Sequence, residues 1–195
     1  LEKEYTRLSF LVDDTNVHLK KELEVSIQAG EIVGVLYDKI LAQYKDPSNP
    51  DSQKALNKLC VRLVFCLYAE DAGIFGSKNM FHDYLARFET RDIRKALIDL
   101  FSVLNTPVDQ RDPYMDEALS AFPYVNGGLF GDAAESSGRA AGNYFSVPEK
   151  PISAPLVRRD ADIEIPQFTE EIRTLILQRA SGDFDWSLIS PTIFG

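Results

Sequence analysis

An apolar run from Leu59 to Ala69, interrupted only by Arg62, constrains the fold more than any other feature of this sequence. It lies in a segment that Gly73 closes, which predicts a helix over residues 52–72, capped by Asp51 or Ser52. The first half of this helix is amphipathic and its second half is apolar on every side, a pattern typical of a central helix surrounded by others. The run is too short to cross a membrane.

The rest of the chain predicts shorter elements around that helix. Apolar spacing favours helices over residues 29–44, 80–88, 92–104 and 169–179, and Asp112-Pro113 reads as cap and first residue of a helix to Ala121. Residues 6–12 alternate like a strand, and residues 131–143 lack large apolar side chains and predict a loop. We therefore expect a mainly α fold: a multi-helix bundle with a central buried helix, and a small amount of short β structure near the N-terminus and around 122–165.

Charge and cysteine content exclude several classes of protein. The 195 residues carry a formal net charge of −9, which disfavours a domain that mainly grips phosphate backbone. Residues 1–97 contain 14 basic and 15 acidic side chains, whereas residues 98–195 contain 7 and 15, so any polyanion would meet the first part more readily. Cys60 and Cys66, six residues apart on one helix, point to different faces and are interpreted as buried thiols in a reducing compartment.

The sequence lacks the residue patterns that would give it chemistry of its own. No lysine has an acidic residue two positions before it, which excludes one common nuclease core, and there is no Gly-x-Gly turn for a methyl donor or dinucleotide. Asp112-Pro113-Tyr114 is interpreted as a helix cap, and Glu70-Asp71 as a solvated or hydrogen-bonded helix end. We predict no catalytic, cofactor-binding or metal-binding residue in this chain.

One basic cluster has two interpretations. Arg87, Arg91, Arg94 and Lys95 lie within nine residues of each other. Such a group is most often a solvated face, and the alternative is a set of contacts to DNA phosphates.

Four segments, in this order, resemble one family. They are Glu24–Asp38, Leu56–Phe75 with its Tyr-Ala-Glu-Asp-Ala-Gly stretch, Phe-Pro-Tyr-Val-Asn-Gly-Gly-Leu-Phe at 122–130, and Asp183–Gly195. Together they resemble the helical spacer region of MmeI-like (Type IIG/IIL) single-chain restriction–modification DNA methyltransferases. The resemblance extends from about residue 22 to residue 195 and rests on core and turn residues.

The resemblance implies a place in a longer enzyme. Residues 1–22 would be the tail or linker of a preceding domain, often a nuclease-type region, and residues 23–195 a helical spacer truncated just before a methyltransferase domain. The parent would be a bacterial, cytoplasmic, adenine-N6-specific DNA methyltransferase that acts on double-stranded DNA, with S-adenosylmethionine and, for a nuclease, Mg²⁺ as cofactors. The fragment itself is expected to bind no cofactor and to be non-catalytic.

The same resemblance suggests contacts with the flanking domains of the same chain. Asn126, Phe184 and Trp186 are the candidates for such interdomain contacts. Asn126 also has a simpler interpretation, as part of a tight turn with positive φ. Two other functions stay open from the sequence: a direct DNA-binding helical module, and a helical protein–protein adaptor.

Overall fold

The computed structural model describes residues 2–125, 128–130 and 163–189, with side chains from residue 20 onward. The α-helices are α1 (Glu2–Leu41), α2 (Pro50–Asp71), α3 (Met80–Ala86), α4 (Thr90–Leu104), α5 (Glu117–Ser120) and α6 (Glu170–Thr174). A π-helical segment, Leu175–Gly182, continues α6, and two 3₁₀ turns lie at Val108–Gln110 and Trp186–Leu188. In the described parts of the chain, no helix is long and apolar enough to span a membrane.

Helix α2 is the centre of the fold, as the apolar run predicts. Leu56, Leu59 and Leu63 are completely buried along it. It begins two to three residues earlier than expected, because Asn49 accepts a hydrogen bond from the Asp51 amide at 2.9 Å and Pro50 takes the first helical position. The helix ends where expected, since Gly73 adopts a φ of +73° that other residues rarely take.

The other helices pack their apolar faces around α2. The C-terminal part of α1 contributes Ile32, Leu36 and Ile40, and α4 contributes the stripe that the sequence predicts. Buried residues of that stripe are Ile93, Ala96, Leu97, Leu100, Phe101 and Leu104. Phe122 and Phe130 enter the same core from the segment after α5. One hydrophobic core therefore joins the C-terminal part of α1, α2, α4 and the segment after α5.

The helical class is confirmed, but the predicted short β structure is not found. Residues 6–12 belong to α1. Their alternation misled because Leu8, Leu11 and Val12 also fit helical spacing, and no described residue is in a strand with which they could pair. Of residues 122–165, those that the structure describes form no strand either. Ile163 and Ile165 do alternate inward around Glu164, on an extended segment.

Two helices differ from their predicted bounds. The one expected at 112–121 is α5, which begins only after Asp116, because Asp116 caps it by accepting a hydrogen bond from the Ala118 amide at 2.8 Å. The one expected at 169–179 starts correctly at the Thr169 cap but widens into the π-helical segment and continues to Gly182. The loop predicted at 131–143 lies outside the described residues.

Candidate functional site

The predicted phosphate contacts lie on and just before α4, but the structure does not leave all four equally available. Arg94 is half-buried, and its Nε donates a hydrogen bond to the Ile165 carbonyl at 2.7 Å. Arg94 therefore helps to hold the extended segment 163–165 against α4. Lys95 is exposed on the same helix.

Acidic side chains partly neutralise the two remaining arginines. Arg91 lies 2.9 Å from Glu89 and 3.5 Å from Asp92, and Arg87 lies 3.9 Å from Asp116. All of these side chains are more than half exposed. Exposed pairs of this kind contribute at most about 1 kcal/mol, so a phosphate could displace the carboxylates at little cost.

A groove of about 480 Å³ separates the α3–α4 connection from α6. Its charged lining residues are Arg87, Glu89, Arg91, Glu170 and Arg173. Arg173 is held in place, because its Nε donates to the Phe88 carbonyl at 3.1 Å. A hydrogen bond from Thr90 and the charge of Arg173 lower the pKa of Glu170. The groove is therefore mixed in charge, which distinguishes it from a basic nucleic-acid channel.

The predicted interdomain residues fall into three different environments. Asn126 lies outside the described residues. Trp186 is 1% exposed, and its indole Nε1 donates to the Ala180 carbonyl at 2.7 Å. Phe184 is half-buried and packs edge-on against Trp186 with ring centroids 4.9 Å apart. The Trp186 ring is thus covered by this chain itself, so Phe184 is the member of the described pair with side-chain surface left for a neighbour.

Glu70 and Asp71 join three parts of the fold at the end of α2. Glu70 is 2% exposed and accepts hydrogen bonds from the His82 amide and the Ser181 hydroxyl, both at 2.8 Å. It also accepts one from the Phe81 amide. Asp71 accepts one from the Trp186 amide at 2.7 Å. Of the two interpretations of this pair, solvated or hydrogen-bonded, the structure shows hydrogen bonds for both residues, and Glu70 is also buried.

Glu70 performs the capping that α3 lacks locally. The N-cap residue of α3, Asn79, has a left-handed backbone and its side chain makes no capping hydrogen bond. The Glu70 carboxylate satisfies two of the free amides at that helix start and places a negative charge at the positive end of its dipole. Burial is the main cause that raises the pKa of Glu70, and also that of Asp71.

Arg62, the single break in the apolar run, is a core residue. It is 1% exposed, and its guanidinium carbon lies 5.4 Å from the centre of the Phe101 ring and 5.5 Å from that of Phe130. Its Nε donates to the Leu129 carbonyl at 2.8 Å. Arg62 therefore fastens the segment that ends at Phe130 to the middle of α2. Arginine suits this role because its planar cation stacks on aromatic rings while it donates hydrogen bonds.

The described residues offer no grouping that could hold a metal. Nowhere in ranges 20–125, 128–130 and 163–189 do three or more His, Cys, Asp or Glu side chains come together in a way that fits an ion. Cys60 and Cys66 are free and buried, as predicted.

Comparisons with known proteins connect this helical core to one family. A family model described as "MmeI, helicase spacer domain" matches residues 54–130. A solved structure of the Type IIL restriction-modification enzyme MmeI in complex with DNA superimposes with a TM-score of 0.59 and 34% identity, over 86% of this chain and 18% of that chain. The chain carries an MmeI-like spacer region. DNA methyltransferase A of Bacillus subtilis (strain 168) is 33% identical over 117 residues, which is 58% of this chain and 12% of that protein.

The range matched by the family model covers the central part of the MmeI-like spacer. Residues 54–130 run from the second turn of α2 to Phe130, one of the two rings on which Arg62 packs. They include Glu70 and the α3 amides that it caps. The chain spans less than a fifth of the length of either relative, so the spacer is a minor part of both.

Proposed function

We propose that this chain is the non-catalytic helical spacer of a restriction–modification DNA methyltransferase, and that it links an N-terminal nuclease-type region to the methyltransferase domain. In this proposal residues 1–22 are the tail of the preceding region and residues 23–195 form the spacer. The matches to MmeI and to DNA methyltransferase A support the restriction–modification context.

The observation that carries the scaffold role is the attachment of the last described segment, residues 163–189, to both ends of α2 and to the turn that follows α1. At the end of α1, the Tyr44 hydroxyl donates to the Glu164 carbonyl at 2.8 Å. At the start of α2, the Ser52 hydroxyl donates to the Glu164 carboxylate at 3.0 Å. At the far end of α2, Asp71 holds Trp186. An object fixed at so many points can keep two flanking domains at a set distance.

The wider activity follows from the relatives as part of the proposal. The full-length protein would transfer a methyl group from S-adenosylmethionine to the N6 atom of adenine in double-stranded DNA, in the bacterial cytoplasm. We propose no binding site for S-adenosylmethionine among the residues described here. Their role is to position the domains on either side.

A methyl-transfer assay tests the proposal. Tritium-labelled S-adenosylmethionine and plasmid DNA are given to the full-length protein and to the 195-residue chain, with and without Mg²⁺. We expect methyl incorporation with the full-length protein only, and no DNA cleavage by the chain alone. Methyl transfer or metal-dependent cleavage by the isolated chain would refute a non-catalytic role.

A second candidate is a direct DNA-binding helical module, which the exposed and weakly paired Arg87, Arg91 and Lys95 favour. Fluorescence polarisation with a labelled duplex at low and moderate salt decides between the two. A DNA-binding module would show micromolar, salt-sensitive binding that Arg91→Gln and Lys95→Gln weaken. The matched control is Lys54→Gln, since Lys54 is also exposed and paired with an acid, Asp51, at 3.7 Å. A scaffold predicts no binding by any of these proteins.

A further inference from the structure

The connection between α4 and α5 presents the two most exposed large apolar side chains of the described chain. Tyr114 is 93% exposed and Val108 is 68% exposed. Val108 opens a 3₁₀ turn, and the Asp112 carboxylate accepts a hydrogen bond from the Tyr114 amide at 2.9 Å. We call the Tyr114 side chain the aromatic knob. A ring this exposed leaves nearly all of its apolar surface available to a partner.

Arg111 holds the connection that carries the knob. Its Nη2 and Nε donate to the Val103 and Thr106 carbonyls at 3.0 Å each, at the end of α4. Its Nη1 donates to the carbonyl of Ser120, the last residue of α5, at 3.2 Å and to the Phe122 carbonyl, just beyond that helix, at 2.7 Å.

One guanidinium thus ties both ends of the connection together and caps the carbonyl ends of two helices. A loop braced in this way has little conformational entropy left to lose on binding. An aromatic side chain carried on a braced backbone is therefore suited to be a binding anchor.

The surroundings of the knob are acidic. Asp109, Asp112, Asp116 and Glu117 lie within nine residues of each other along the connection and the first turn of α5. One of these carboxylates, Asp116, lies 3.9 Å from Arg87 in an exposed pair. The positive charge of Arg111 is turned towards the four carbonyls. This acidic rim repels a nucleic-acid backbone and complements a surface rich in Lys and Arg.

We propose that the aromatic knob docks into a basic face of a neighbouring domain of the same polypeptide, with the Tyr114 ring in a pocket and the acidic rim paired with Lys and Arg. This inference rests on the proposed spacer function, which requires flanking domains. The relative sizes support it, since this chain covers only 18% of the MmeI chain that it matches. A DNA-binding domain beside the spacer needs a basic surface, so the acidic connection and such a neighbour are complementary.

Site-specific photocrosslinking in the full-length protein tests this docking. p-Benzoylphenylalanine replaces Tyr114 in one variant and Val61 in the control, because Val61 is an exposed apolar residue at 48% that lies on α2, away from the connection in sequence. We expect position 114 to crosslink to a Lys- and Arg-rich peptide of the same polypeptide outside residues 1–195, and position 61 not to do so. Adding Asp109→Lys and Glu117→Lys should lower the yield at least five-fold, as should 1 M NaCl.

A crosslink from position 114 to a DNA duplex, to a second copy of the polypeptide, or to nothing would overturn the inference. So would a yield that the charge reversals and salt leave unchanged. The methyl-transfer assay above reports separately on the spacer function. A full-length protein that passes that assay but fails the crosslinking test therefore overturns the docking alone.

Discussion

Replacing Glu70 tests the network at the end of α2. Glu70→Ala removes the acceptor of the Phe81 and His82 amides and of the Ser181 hydroxyl. A buried amide left unpaired costs about 1–3 kcal/mol, whereas the half-buried serine can turn to water. Removing a buried carboxylate also relieves its own desolvation, which offsets part of the loss. We expect the free energy of unfolding to fall by about 2–3 kcal/mol.

Glu70→Gln is the matched control, and its effect has a defined pH dependence. The Gln side chain can accept from the amides and donate to Ser181, so we expect a change below about 1 kcal/mol at neutral pH. Burial raises the pKa of Glu70 above its ordinary value of 4.5. The folded chain then binds this proton more tightly than the unfolded chain does. The stability that Glu70 contributes is therefore greatest below pH 4.5 and falls as the pH rises through the folded pKa.

Urea unfolding followed by the fluorescence of Trp186, the one tryptophan of the chain, measures both effects. Between pH 4.5 and neutral pH, the stability of the native chain relative to Glu70→Gln should decline as the pH rises. Taking this difference removes the titration of Asp71, since both proteins keep it. This account of Glu70 would be refuted if Glu70→Ala and Glu70→Gln lowered the free energy of unfolding equally. It would also be refuted if the stability of the native chain relative to Glu70→Gln rose with pH.

Three further predictions concern other parts of the fold. Arg111→Lys should lower the free energy of unfolding by about 1–3 kcal/mol in the same urea assay, because one ammonium cannot reach four carbonyls; an unchanged value would contradict the bracing role. Gly73→Ala should lower the free energy of unfolding by about 1–2 kcal/mol, because Gly73 has a positive φ. Gly34→Ala should raise it by up to about 1 kcal/mol, because Gly34 is exposed in α1 with open space around it. Calorimetry that ranks the two variants the other way would contradict this. Burial raises the pKa of the Cys60 thiol to about 12, so Cys60 and Cys66 should react with Ellman's reagent at pH 8 only after unfolding; fast labelling of the native chain would show that they are accessible.

The central helix was predictable because its signal is local. A continuous apolar run and a Gly stop are both read within one stretch of chain. The Asn49 cap was misplaced by two to three residues only because Asp51 and Ser52 are equally good capping residues. The buried Ser52 instead donates to Glu164, 112 residues away.

The links between distant segments could not be read from the sequence. Glu70 meets Ser181 across 111 residues, and Arg62 meets Leu129 across 67. Neither contact could be predicted, because a single hydrogen-bonding partner has no spacing pattern in the sequence. The π-helical widening after α6 was missed for a similar reason, because residues 169–179 have ordinary helical spacing and the Trp186 bond to Ala180 depends on tertiary packing.

The basic cluster is another case in which the sequence did not predict the contacts that its side chains make. Four basic side chains close in sequence suggested one common surface, but Arg94 faces inward to Ile165 and Arg91 pairs with two acids. Spacing along a helix predicts which side chains share a face of that helix, but it does not predict which residues of other elements they contact. The interdomain candidates Phe184 and Trp186 likewise share a position in the chain but differ in burial.

The scaffold role depends on the last described segment being fixed to the same core as the C-terminal part of α1, and double electron–electron resonance, which measures the distance between two spin labels, tests this directly. Spin labels are attached at Glu31→Cys on α1 and Leu188→Cys in the last 3₁₀ turn, both exposed sites, while the native thiols are buried. The account predicts a single narrow distance distribution that duplex DNA leaves unchanged. A broad or multi-peaked distribution, or one that shifts when DNA is added, would contradict a rigid spacer.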